Sequence, residues 1–269
     1  GFLCSIVFTQ PFESKIFLLI VGITLLLFLG FFDDLMPLKP YQKFFGQFVV
    51  AFSFLKAGFY LKEHIFYNIW NMPLSILWIL SIINSFNLVD VMDGLATILA
   101  WFSAAGFCIM SILYGQTYVT LLLLSFLGAL SAFWYYNKPQ ASIYLGDAGS
   151  LFIGGFLAVI PFLLDWGTFT SLGYLTPVVI LAIPLLECTC LIFIRAYKGI
   201  PFYRASPDHF SIYLRSKEWS PQNILCYVGW LGLILNTIGI LFATNSIGIG
   251  LLSGAVLLFL SVWVFVLFN

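Results

Sequence analysis

The sequence predicts an all-α, polytopic membrane protein with about nine transmembrane helices, whose polar residues gather at one membrane face. Hydrophobic residues make up 62% of the 269 positions and charged residues only 8%, which is more apolar surface than a soluble domain of this size can cover. The apolar residues occur in runs of the roughly 20 residues that a helix needs to cross a bilayer. Acidic and basic residues are concentrated in alternate loops between these runs.

The apolar runs are predicted to be membrane-spanning helices, with boundaries good to a few residues. They lie near 16–32, 44–62, 73–89, 96–115, 117–136, 148–164, 172–194, 223–243 and 246–268. In lipid, every backbone polar group must be bonded within the protein, which leaves helices or a closed barrel. Barrel strands alternate apolar and polar residues, whereas runs such as Leu121–Leu124 do not, so helices are favoured.

Most lysines and arginines fall on one face when the chain is followed through these spans. They are Lys39, Lys43, Lys138, Arg195, Lys198, Arg204, Arg215 and Lys217. Short cytoplasmic loops carry the excess of Lys and Arg, so this face is predicted to be cytoplasmic. Carboxylates contribute little to orientation, yet the same face carries Asp33, Asp34, Asp90, Asp93, Asp147 and Asp208. This gathering predicts an active site at the membrane surface, and the zero net charge indicates no nucleic-acid partner.

The first polar motif is the pair Asp33 and Asp34 at the end of an apolar helix. Two adjacent carboxylates in such a place need a cation or a basic partner nearby. Lys43 follows in the same loop region, and Gln47, one helical turn later, shares its face. A solvated loop remains the alternative interpretation of the pair.

The second motif is a series of polar side chains spaced by three, which ends an apolar span. Its members are Asn84, Asn87, Asp90 and Asp93. On a helix this spacing predicts a slowly drifting polar stripe, and Gly94 then lets the chain turn. Helix capping would explain one Asn or Asp but not four at a fixed spacing.

The third motif, Tyr144–Ser150, opens the next span. Asp147 and Ser150 are placed like an N-cap and an N3 residue, so a purely structural helix cap is one interpretation of the motif. Gly146 and Gly149 allow close backbone approach, and a carboxylate here would suit a Mg²⁺ that bridges a diphosphate. His209, in the long basic loop, is a candidate general acid, general base or phosphate ligand, or an incidental loop residue.

Four segments, in this order, resemble the polyprenyl-phosphate N-acetylhexosamine-1-phosphate transferases, also called glycosyltransferase family 4. They are GFFDDLMPLKPYQKFFGQ, NSFNLVDVMDGLA, YLGDAGS and the SPDHF loop. The resemblance implies transfer of N-acetylhexosamine 1-phosphate from a UDP-N-acetylhexosamine to polyprenyl (undecaprenyl) phosphate, giving polyprenyl-diphospho-sugar and UMP. It also implies a multi-pass protein of the bacterial inner membrane that contacts membrane lipid, requires Mg²⁺ (or Mn²⁺ in its place) and initiates a cell-envelope polysaccharide such as the O-antigen of lipopolysaccharide.

The resemblance also assigns roles to individual residues. Asp33 would be catalytic as a base toward the lipid phosphate or, alternatively, as a nucleophile, and Asp34 would assist beside the diphosphate and metal. Asp147 would be the Mg²⁺ ligand. Substrate binding would fall to Lys43, Asn87, Asp90, Asp93, Arg204 and His209.

Two residues depart from the family pattern. Val91 stands where members often have a glycine, and His209 stands alone where many carry a His-x-His-His cluster. Members begin with one or two more spans, so we expect residues 1–269 to form a single membrane domain that lacks them. Alternatives are a membrane transporter, whose carboxylates should lie near the midplane, or an inactive truncated relative. A homodimer is compatible with the family.

Overall fold

The computed structural model describes residues 14–61, 68–201 and 207–268, and the regular structure in these ranges is entirely helical. The helices are α1 (Ser14–Leu35), α2 (Pro40–Lys56), α3 (Asn68–Val89), α4 (Leu95–Leu113), α5 (Thr117–Asn137), α6 (Gly146–Val159), α7 (Thr176–Ile180), α8 (Ala182–Tyr197), α9 (Phe210–Ser216), α10 (Pro221–Ala243) and α11 (Ile249–Phe268). Two 3₁₀ turns, Ile160–Leu163 and Gly173–Leu175, lie between α6 and α7. The predicted all-α class is confirmed.

Six of the described helices are long and apolar enough to cross a membrane, and a seventh crossing results if α7 and α8 form one bent span. The predicted span 44–62 corresponds to α2, which has only 17 residues. The predicted span 172–194 is broken by a bend of 69° between α7 and α8. Pro184 causes this break, because it has no N–H to donate to the carbonyl four residues earlier. The count of nine spans therefore stays a prediction.

The centre of the fold is the packing of α6 against α1 and α3. Glycines permit the close approach: a Cβ on Gly30 would lie 2.3 Å from the Asp147 carbonyl oxygen, and one on Gly154 would lie 2.7 Å from the Ile83 Cα. Small residues let helix backbones pack closely in membranes, where water does not drive association. These contacts bring the end of α1 and the end of α3 to the beginning of α6.

The remaining helices surround this centre. α2 packs on α1 and α3, and α8 packs along α3. α4 and α5 form a hairpin through a tight turn at Gly115, whose φ of +69° requires glycine, and α10 packs on α4 and α7. As a result, the polar motifs after α1, at the end of α3 and at the start of α6 lie on the same side of the helices, as predicted. The assignment of that side to the cytoplasm stays a prediction.

Candidate active site

The Lys43 ammonium lies at the centre of a polar cluster built from four helix ends. Its Nζ is 2.9 Å from Asp33 Oδ2 and 2.5 Å from Asp147 Oδ2. It also donates a hydrogen bond to Asn87 Oδ1 at 3.2 Å. Pro40 at the first position of α2 favours the helical backbone that places Lys43 there. Two carboxylates thus share one cation.

Asn87 ties this cluster to the start of α6. Its Nδ2 donates to Asp147 Oδ1 at 2.5 Å and to Ser150 Oγ at 3.0 Å. One turn earlier on α3, Asn84 Nδ2 donates to the Oε1 of the buried Gln47 at 2.8 Å. The predicted shared face of Lys43 and Gln47 is therefore confirmed, and so is the stripe as far as Asn87.

The prediction that the stripe continues on the helix through Asp90 and Asp93 is wrong. α3 ends at Val89, and the chain turns before α4, where Gly94 is the N-cap in a left-handed conformation with φ +76°. Desolvation raises the pKa of Asp90 to about 7, and the nearby carboxylates add to the rise. Asp93 faces the loop between α5 and α6, where its Oδ2 accepts from the Ala141 N–H at 3.2 Å.

Asp34 caps α6 from another helix. Its Oδ1 accepts from the Asp147 N–H at 2.8 Å and its Oδ2 from the Ala148 N–H at 3.0 Å. The alternative interpretation, in which Asp147 is itself the N-cap, is wrong, since α6 begins at Gly146 and the N–H groups of Asp147 and Ala148 are bonded to Asp34. Gly146 has φ +63°, and a Cβ there would lie 2.8 Å from Asp34 Oδ2. α1 therefore sets the position of Asp147.

His209 forms a hydrogen bond with a carboxylate of α8. Its Nδ1 lies 3.1 Å from Glu187 Oε1, and both side chains are buried. Glu187 is not among the residues predicted from the sequence, although an ionisable residue within a predicted apolar span is a recognisable signal. Arg204, the other candidate in this loop, lies outside the described residues. The structure thus brings together Asp33, Lys43, Asn87 and Asp147, with Asp34 beside them.

A cavity of about 760 Å³ lies toward the opposite ends of the same helices. Its wall is mostly apolar and includes Lys15, Leu74, Trp78, Ser81, Phe162 and Val178. Lys15 stands at the start of α1, whereas Asp33 stands near its end. The residues of α3 that line the cavity come before Asn84 and Asn87 in the chain. The same helix therefore contributes residues to both the cavity and the Lys43 cluster.

The comparison with known proteins agrees with this arrangement. Residues 16–165, which include all four helix ends of the Lys43 cluster, match the family described as Glycosyl transferase family 4. The chain belongs to glycosyl transferase family 4. The resemblance seen in the motifs is thereby confirmed, and the site just described is the part of this family member in which the motifs meet.

Several bacterial proteins are similar to this family member. A probable undecaprenyl-phosphate N-acetylglucosaminyl 1-phosphate transferase of Bacillus subtilis is 28% identical over 255 residues, covering 92% of this chain and 68% of that protein. A phospho-N-acetylmuramoyl-pentapeptide-transferase of Limosilactobacillus fermentum is 31% identical over 215 residues, covering 76% of this chain. The chain spans 65% of the length of that second protein. These relatives are named for different sugars, so the names leave the donor of this chain open.

Proposed function

We propose that this chain carries the transfer of an N-acetylhexosamine 1-phosphate from a UDP-sugar to a polyprenyl phosphate. The observation that carries the proposal is the Lys43 ammonium held between Asp33 and Asp147 at the ends of apolar helices. Membership of glycosyl transferase family 4 gives this constellation its reaction class. The products would be a polyprenyl-diphospho-sugar and UMP.

Phosphoryl transfer depends on neutralised charge and on in-line placement more than on covalent work by the protein. An oxygen of the lipid phosphate would form a bond to the β-phosphorus of the UDP-sugar, and the bond to the UMP oxygen would break. Lys43 would orient and partly neutralise a phosphate. Asp33, the neighbouring carboxylate on α1, would accept a proton from the lipid phosphate; its role as a nucleophile remains the alternative.

The residues of the cluster fit a Mg²⁺ ion. Mg²⁺ is usually held by one or two carboxylates together with substrate phosphates and water, and Asp147 with Asp33 offers such a pair beside a single lysine. Among the described residues, no group of three or more His, Cys, Asp or Glu forms a ready-made metal site. We propose that the ion binds together with the diphosphate, with Asp147 as its main ligand. The ion would supply neutralisation of the diphosphate charge, and Mn²⁺ would serve in its place.

The cavity supports a lipid substrate. Leu74, Trp78 and Ser81 line it from one face of α3, and this face continues to Asn84 near the cluster. At 1.5 Å per residue, α3 extends roughly 20 Å from Leu74 to Asn87. An apolar chain would run along this face while its phosphate meets Lys43.

Two other functions are less well supported. A transporter should carry its ionisable residues near the membrane midplane, whereas Asp33, Asn87 and Asp147 lie at helix ends. The presence of Asp33, Asp34 and Asp147, the carboxylates to which the family resemblance assigns the reaction, argues against an inactive relative. We therefore favour the transferase.

The test is a turnover assay with purified protein in detergent, undecaprenyl phosphate, Mg²⁺ and a panel of UDP-N-acetylhexosamines. UMP release and a lipid-linked product that disappear with EDTA would support the proposal and identify the sugar. Glu218→Gln is a matched control, because this exposed carboxylate lies in the turn between α9 and α10, away from the cavity wall and the Lys43 cluster. Absence of product from every donor, with folded protein, would overturn the proposal.

A further inference from the structure

Glu187 is a buried carboxylate in the apolar helix α8, with only 2% of its surface exposed. A charge at such a place is costly unless it is paired and hydrogen-bonded. Both needs are met by one segment: His209 Nδ1 lies 3.1 Å from Glu187 Oε1, and the Phe210 N–H donates to the same oxygen at 3.2 Å. Glu187 therefore holds the ring of His209 and the backbone that follows it.

This pairing decides which imidazole atom can meet a ligand. A carboxylate accepts hydrogen bonds, so Nδ1 carries the proton that points to Glu187. Nε2 is then the ring nitrogen through which His209 contacts anything else. A carboxylate that fixes a histidine ring in this way sets its tautomer and direction, as outer-shell partners of functional histidines generally do.

The pair is connected to the polar end of α3 through the residue after Glu187. α8 packs along α3, and Cys188 interacts with Ser85. Ser85 stands on α3 between Asn84 and Asn87, and Asn87 bonds Lys43 and Asp147. The loop that bears His209 thus returns to the helix bundle beside the polar end of α3.

We propose that Glu187 is a positioning residue that aims His209 Nε2 at the sugar-diphosphate end of the nucleotide sugar. This inference rests on the proposed function, because it assigns to His209 the binding of the donor substrate beside the Lys43 cluster. Glu187 itself does not touch the substrate. Its role is to fix the orientation of the His209 imidazole ring and the position of the loop before α9.

A double-mutant cycle on kcat/KM tests this coupling. Glu187→Ala and His209→Gln are each expected to lower kcat/KM roughly 10- to 100-fold. If Glu187 acts through His209, the double variant is no worse than His209→Gln alone; multiplied losses would overturn the proposal. Glu187→Gln keeps an oxygen acceptor and is expected to retain activity within about threefold. Thr189→Val, on the same helix, is the control, because the Thr189 hydroxyl donates to the Leu185 carbonyl of its own helix.

A second measurement separates this inference from the transferase proposal. In ¹⁵N-imidazole NMR spectra, with His64→Gln used for assignment, His209 is expected to carry a slowly exchanging proton on Nδ1 that Glu187→Ala releases. This result would stand even if no UDP-sugar gives product, in which case only the reaction class fails. A His209 ring with its proton on Nε2 and a bare Nδ1 would overturn the positioning role in either case.

Discussion

Replacing Lys43 by methionine removes the ammonium while keeping most of the side-chain volume. Each hydrogen bond to a charged group contributes about 1.5–3 kcal/mol, so the loss of one phosphate contact should lower kcat/KM roughly 10- to 100-fold. The lysine also separates two carboxylates, at 2.9 Å from Asp33 and 2.5 Å from Asp147, and only 17% of its side chain is exposed. Removing one partner of such a half-buried pair costs about 1–3 kcal/mol. The variant should therefore unfold at a lower temperature.

Added Mg²⁺ should restore part of this loss in the Lys43→Met variant, because a divalent cation can replace the missing charge between Asp33 and Asp147. The measurements are kcat/KM for the UDP-sugar and the unfolding temperature in detergent with and without Mg²⁺. Lys138→Met is the matched control, since Lys138 lies over the Tyr135 ring at 4.9 Å and caps the end of α5. Unchanged turnover in Lys43→Met, or an equal loss in Lys138→Met, would refute the reasoning.

Three further predictions concern the surrounding carboxylates. Asp147→Asn should reduce Mg²⁺-dependent turnover more than 100-fold, which corresponds to roughly 3 kcal/mol of transition-state stabilisation, while the helical circular dichroism stays unchanged. Near-normal turnover would show that Asp147 is not the metal ligand. Asp34→Ala removes the cap of α6 and should lower the free energy of unfolding by about 1–2 kcal/mol, and Asp34→Asn should lower it by less. Equal stability of the unchanged protein and both variants would contradict the capping role. The pKa of Asp90 is raised from 3.8 to about 7, so the folded protein binds the proton more tightly and loses stability as pH rises from about 4 to 7. Unfolding temperatures measured with EDTA across this range should show a smaller decline for Asp90→Asn, and identical declines would count against the raised pKa.

The adjacent carboxylates Asp33 and Asp34 have different partners. Successive residues on a helix point about 100° apart. Asp33 turns toward Lys43 and also accepts from the Leu38 N–H at 2.7 Å, whereas Asp34 turns toward the first N–H groups of α6. The catalytic role predicted for Asp34 stays a prediction. Its two backbone contacts place its first effect on the position of Asp147.

Local features of the sequence were sufficient for the class of fold and for the members of the cluster. Hydropathy depends on each residue and its neighbours, so the apolar runs indicated α1, α3 and α6 without knowledge of their packing. The motifs at the helix ends identified Asp33, Lys43, Asn87 and Asp147 because polar residues are costly beside lipid unless they serve a purpose. Membership of the family followed from the same short segments.

Only the tertiary packing decided which distant residues contact each other. Asp34 caps a helix 113 positions later, Lys43 meets Asp147 across 104 positions, and Glu187 meets His209 across 22. No sequence period specifies such pairs, because they depend on how the helices are rotated and how closely they approach. Contacts such as that of Gly30 with the Asp147 backbone set this rotation. The sequence by itself therefore determined a helical membrane protein whose polar motifs lie at helix ends. The packing of α1, α2, α3 and α6 decided that Asp33 and Asp147 pair with Lys43 and that Asp34 caps α6.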